Sequence, residues 1–230
     1  MNSDRSKLLV GEAAAALVED GMRLGLGSGS TVAYFLTALA DRHLDVAGIP
    51  TSRHTAARCR ELGIPLLEPA DVERVDLCVD GADELDHDLT LVKGGGGAHL
   101  REKVVASLAD RFVVIATRDK LVDRLADSFA LPIEVVPFAL SPVRRELEHR
   151  GFEVTVRTGA SEDEEYRTDN GNAILDARLP GGLEDPAAAE VALSLLPGVV
   201  AVGLFVDLAD TALLGDPQGE ITEVQRSAVA

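Results

Sequence analysis

Four consecutive glycines, Gly94 to Gly97, stand between a short apolar run ending at Val92 and a helical pattern at Leu100, Val104, Val105 and Leu108. Few local structures satisfy that order. Glycine permits φ > 0 and leaves backbone N–H groups uncovered. A helix starting directly afterwards adds free donors and the positive end of a dipole. The spacing therefore predicts a loop that can meet a ligand with its main chain. Lys93 sets a mobile cation at one rim. Glu102 lies one turn beyond Ala98, and helical side chains lean toward the N-terminus. Its carboxylate is expected to point back at the glycines rather than into the core. The competing reading is a flexible surface loop flanked by solvated charges.

The same strand–loop–helix order recurs. Met22 to Leu26 reads as a buried strand running into Gly25-Leu26-Gly27-Ser28-Gly29-Ser30-Thr31, then a helix at Val32, Phe35, Leu36 and Leu39. That arrangement suits a phosphate resting on N–H groups and hydroxyls. Ser30 stands where a dinucleotide fingerprint wants its third glycine, and the P-loop lysine is missing. The register also fails the hydrolase nucleophile elbow. A strand over Val75 to Val79 carries Asp80-Gly81-Ala82-Asp83 at its carboxyl end, where ligands sit in open α/β sheets. That spacing fits no metal loop. Lys120 follows a strand over Arg111 to Ala116. Ser3 or Asp4 would cap a first helix carrying Lys7, and strands at Val46–Ile49 and Ile64–Leu67 would flank a helix at Thr55–Leu62. The alternation predicts an α/β fold with a Rossmann-like parallel sheet covered by helices.

After Leu131-Pro132 the pattern becomes β-α-β-β-α-β, a ferredoxin-like order over about residues 131–203. The expectation is a smaller α+β domain at 131–203, inserted before C-terminal strands that return to a catalytic domain of 1–130 plus 204–230. The proline-rich junction near 131–137 is the expected hinge. Residues 159–165 read as an acidic, exposed hairpin loop.

The net charge of −17 argues against nucleic acid and anionic membranes as partners. It does not exclude a small anion, because local cations decide that. Lys7, Lys93, Lys103 and Lys120 are the only lysines, so each is a candidate for a specific task. Cys59 and Cys78 are isolated and read as buried small hydrophobes in a reducing compartment. No apolar run approaches the roughly 20 residues of a membrane span. The first residues show no signal-peptide pattern, so the cytoplasm is the expected location.

Gly25–Thr31, Val79–Glu84 and Lys93–Lys103 resemble the three signature segments of ribose-5-phosphate isomerase, type A. Asp119-Lys120, Thr168 to Asn172 and Pro197 to Val200 are similar to further runs of that family. The resemblance implies a cofactor- and metal-free interconversion of ribose 5-phosphate and ribulose 5-phosphate through an enediol(ate). It assigns Glu102 as the base, with Asp80, Asp83 and Lys93 serving ring opening and the oxyanion. Lys7, Ser28, Gly29, Ser30, Thr31 and Lys120 would hold substrate, mainly its phosphate. Gly81 and Ala82 would contact it, and Gly94, Gly95 and Gly96 would supply backbone donors. A homodimer or a dimer of dimers is implied. His99, where relatives have an apolar or small residue, is expected on the helix surface. An aminosugar-phosphate isomerase-deaminase would need another acid/base set. A sugar-phosphate sensor would want an N-terminal helix-turn-helix.

Overall fold

A computed structural model describes residues 2–159, 161 and 164–226. Helix α1 (Asn2–Ala16) precedes β1 (Arg23–Leu26), α2 (Ser30–Asp41), β2 (Ala47–Pro50) and α3 (Arg53–Leu62). Next come β3 (Leu77–Asp80), the two-residue strands β4 (Glu84–Leu85) and β5 (Leu91–Val92), α4 (His99–Ser107) and β6 (Phe112–Thr117). The chain continues through β7 (Leu131–Val135), α5 (Leu140–His149), β8 (Glu153–Val156), β9 (Ala173–Arg178), α6 (Pro186–Ser194) and β10 (Val199–Val202). It closes with β11 (Leu204–Phe205), β12 (Thr211–Gly215) and β13 (Ile221–Gln225).

The main sheet has the order β13-β12-β6-β3-β1-β2 and is parallel except for β13. Every residue of β6 is buried, as a strand covered on both faces requires. One face packs Val10 and Ala14 of α1 and Phe35, Leu36 and Leu39 of α2, whose spacing puts them on one helix side. The other face takes Val105 and Ala106 of α4 with Leu85, Leu91 and Phe205. Connections leave β1 toward β2 on one side and reach β3 on the other, so a crevice opens where β1 and β3 end.

The second sheet, β10-β7-β9-β8, is antiparallel throughout and has the ferredoxin-like order. Val143 and Leu147 of α5 and Leu193 of α6 fill its core. Asp185 caps α6 by accepting from Ala188 N, with Pro186 in the first turn.

Several expectations change. Helix α1 starts at Asn2, so Ser3 and Asp4 lie inside its first turn. Ile64–Leu67 forms only a single bridge, Leu66 to Gly48. The expected hinge is a fully buried central strand, β7, with β10 and β9 on either side. Pro132 is tolerated there near the strand start, where its carbonyl accepts from Gly203 N. Strand β11 does not rejoin the main sheet; it pairs with β5 in a third sheet, β11-β5-β4. Of the acidic loop, residues 160, 162 and 163 lie outside the described residues, and Ser161, Glu164 and Glu165 are exposed. Both cysteines are free and buried. Among the described residues no helix is long and apolar enough to cross a membrane.

Candidate active site

The crevice is built first by a backbone approach. Gly27, just past β1, must lack a side chain, since a Cβ would lie 2.2 Å from the Asp80 carboxylate. The close approach lets Asp80 Oδ1 accept from Ser28 N at 3.0 Å and from Gly81 N at 2.7 Å, joining the ends of β1 and β3. Asp80 Oδ2 lies 3.1 Å from Lys93 Nζ. Lys93 in turn donates to Gly81 O at 2.6 Å and sits 3.4 Å from Glu102 Oε2. Ser28 Oγ donates to Glu102 Oε1 at 2.5 Å. Lys93 is thus no mobile rim cation; it is 3% exposed, bonded to the Gly81 carbonyl and paired with two carboxylates. Two carboxylates share one ammonium, which leaves a buried cluster of net negative charge.

Burial, then the Asp80 charge, raise the Glu102 carboxyl to about 7, against the lowering effects of Lys93 and the Ser28 hydroxyl. Asp80 is also raised by burial. Burial opposes the charge on Lys93, but Asp80, Glu102 and Asp83 outweigh it and hold the ammonium well above its ordinary range.

The glycine loop is a turn closed by Gly97 N donating to Gly94 O at 2.9 Å. Gly95 N donates to Asp83 Oδ2 at 2.7 Å, tying the loop to the one after β3. Gly94 and Gly96 line the cavity, and their N–H groups have no partner among the described residues. His99 is not on the helix surface; it is wholly buried. At the first position of α4 its ring leans back over the loop, against Gly94, where a Cβ would lie 2.6 Å from Nδ1. Burial and then Arg157 lower its pKa to about 3, so the ring is neutral.

A second group of residues surrounds the start of α2. Gly29 precedes it with no side-chain cap, so first-turn N–H groups stay available. Lys7 Nζ donates to Ser30 Oγ at 2.9 Å, and Lys120 arrives from a 3₁₀ turn, Arg118–Lys120, after β6. The cavity of about 240 Å³ suits a small polar metabolite rather than a dinucleotide.

Of the expected site residues, Lys7, Ser28 to Thr31, Gly81 to Asp83, Lys93, Gly94, Gly96, Glu102 and Lys120 line this cavity. Asp80 stands behind Lys93 and Gly27, and Gly95 faces Asp83. Thr117 also lines the wall. Arg157 and Tyr166, which no motif singles out, reach the glycine loop from the connection between β8 and β9. No group of three or more His, Cys, Asp or Glu among the described residues could hold a metal. A buried carboxyl near neutrality, an adjacent ammonium and free N–H groups can move a proton at a carbon beside a carbonyl and hold the resulting oxyanion. Lysines around a helix N-terminus can hold a phosphate.

Comparison with known proteins points the same way. Residues 47–219 match the family described as ribose 5-phosphate isomerase A (phosphoriboisomerase A). The chain is 44% identical over 226 residues to ribose-5-phosphate isomerase A of Thermosynechococcus vestitus, covering 95% of each. It superposes on the structure of ribose 5-phosphate isomerase A from Methanocaldococcus jannaschii with TM-score 0.90 and 39% identity, covering 96% and 98% of the two chains. A D-ribose-5-phosphate isomerase solved in complex with phospho-erythronic acid gives TM-score 0.94 at 37% identity, covering 98% and 100%.

Proposed function

This chain belongs to the ribose 5-phosphate isomerase A family, and we propose that its cavity interconverts D-ribose 5-phosphate and D-ribulose 5-phosphate by proton transfer. Glu102 takes the proton from C2 of the open-chain aldose as the C1 carbonyl becomes an enediolate. Glu102 returns that proton to C1 while the O2 proton passes to O1, which gives the ketose without any net redox change. The observation that carries this reading is the Glu102 carboxyl itself: on the cavity wall, buried, and poised near 7. A base of that strength suits chemistry at neutral pH.

Lys93 and the free N–H groups of the glycine loop face the developing oxyanion. Asp83 is placed for the hydroxyl exchange of ring opening. Asp80 acts from behind by fixing Lys93 and Ser28. Lys7, Lys120, Ser30 and Thr31 hold the phosphate. Residues 1–130 with 204–230 form the catalytic unit in this reading, and 131–203 a smaller companion. The reaction calls on no cofactor or metal, and the free buried thiols fit a reducing cytoplasm.

The test is ketose formation from ribose 5-phosphate, with and without a chelator. Wild type should turn over in both, and Glu102→Gln should stay folded while losing roughly 10²–10⁴ in kcat. Near-normal turnover in the variant removes Glu102 from the mechanism. Large exposed apolar side chains on the 131–203 segment, Phe138 (98%), Leu195 (77%) and Val191 (62%), support assembly through that face into a homodimer or a dimer of dimers. Light scattering should show the mass fall in Phe138→Glu, and an unchanged mass rejects the face.

A further inference from the structure

Arg157, just past β8, does not line the cavity and, among the described residues, makes no hydrogen bond or ion pair with Ser28, Asp80, Lys93 or Glu102. Asp176 of β9 grips its guanidinium through Nε at 2.9 Å and Nη2 at 2.5 Å. The remaining nitrogen, Nη1, donates to Gly94 O at 2.8 Å and Gly95 O at 3.1 Å. Tyr166 OH donates to Gly96 O at 3.2 Å, with the Arg157 Cζ 5.6 Å from its ring centroid. Three successive carbonyls of the glycine loop are therefore held by side chains of the connection between β8 and β9.

A trans peptide is planar, so its C=O and the following N–H point in opposite directions. Fixing Gly94 O on Arg157 turns Gly95 N–H the other way, and there it meets Asp83, as observed. Fixing Gly95 O on the same guanidinium turns Gly96 N–H the same way, and Gly96 lines the cavity. Glycines have no side chains of their own to choose between peptide orientations. The choice must come from outside the loop, and an arginine fork can grip a carboxylate and two carbonyls at once where a lysine cannot. A cation on the carbonyl side also polarises the peptide and strengthens its N–H as a donor.

We propose that Arg157 is a positioning residue for the isomerisation, aiming the Gly96 N–H at the oxygen where charge develops. The inference rests on the enediolate reading above. It assigns to the smaller unit a task in the chemistry, carried through the main chain of a loop in the larger one.

The test is Arg157→Met, assayed for turnover and for inhibition by phospho-erythronic acid, whose carboxylate mimics the enediolate, and by inorganic phosphate. We expect kcat to fall roughly 10–100-fold, at or below the usual loss of one oxyanion donor. KM and phosphate inhibition should stay within about threefold, because the phosphate contacts are untouched. Phospho-erythronic acid should weaken in step with kcat/KM, and Arg157→Lys should remain impaired. A folded Arg157→Met with near-normal kcat overturns the proposal, as does a rise in the phosphate inhibition constant that matches the loss of activity. Should Arg157→Met not fold, Asp176→Asn is judged by the same ratios, and normal kcat there is equally fatal. A wild type inactive on ribose 5-phosphate defeats the underlying reading as well, whereas an active wild type with an indifferent Arg157 defeats this inference alone.

Discussion

Lys93 and Lys120 line one cavity under opposite conditions. Lys93 is enclosed, with Asp80, Glu102 and the Gly81 carbonyl around it. Lys120, like Lys7, is half-buried at the start of α2 and open to solvent. Charges packed away from water interact strongly, so the enclosed lysine governs how tightly its neighbours hold protons. Charges at an open rim are screened, so they contribute attraction and little else. In the proposed reading one region of the site sets reactivity and the other affinity, although both are built from the same residue types.

Removing the enclosed cation should have the largest effect. Asp80 Oδ2 and Glu102 Oε2 have no hydrogen-bond partner among the described residues, so Lys93 is what offsets their charge. Lys93→Met should lower stability by about 3–5 kcal/mol, the usual result of stranding a buried ion partner. A denaturant titration measures this. The Glu102 proton should also be held more tightly, moving the acid limb of kcat/KM to higher pH. A variant with unchanged midpoint and unchanged limb would show that the cluster is not coupled.

Next comes the pH dependence of the unaltered chain. With Glu102 at about 7, kcat/KM should fall roughly tenfold per pH unit below that value, because the base must be ionised. Stability runs the other way. The folded pKa lies above the ordinary 4.5, so the native state binds this proton more tightly than the unfolded chain. The favourable contribution is complete below about 4.5 and disappears as pH rises to about 7. Asp80, raised by the same cause, adds the same sign. Glu102→Gln should therefore gain in thermal midpoint relative to wild type between pH 5 and 8. A constant difference across that range would mean Glu102 titrates normally.

Much of this was legible in the chain. Helix α2 announces itself through Val32, Phe35, Leu36 and Leu39, and β6 through an unbroken apolar run, because periodicity reports burial directly. The cavity residues were legible because small residues and acids at strand ends have few other uses. What the sequence hides is direction and distance. A lysine beside glycines reads as a rim charge, and only the fold shows it walled in by Asp80 and Glu102. His99 falls on no core stripe, yet the first residue of a helix covers the loop before it rather than the helix face. Strands of two residues, such as β11, carry no period to read. Arg157 and Tyr166 meet the glycine loop from more than sixty positions away, and nothing local marks them.

The open rim should give the smallest change and the cleanest contrast. In the proposed reading Lys120→Ala removes one partner of a substrate dianion that is bound before, during and after proton transfer, so the loss is uniform binding. A charge-assisted contact is worth about 1.5–3 kcal/mol, and exposure to solvent brings that to the low end. The expected result is a KM raised roughly tenfold with kcat within about twofold. Because this attraction is screened, added salt should narrow the gap between variant and wild type, while leaving the Lys93→Met defect in place. Should Lys120→Ala instead lower kcat with KM intact, the rim would be shaping the transition state, and the division between an enclosed reactive group and an open binding group would fail.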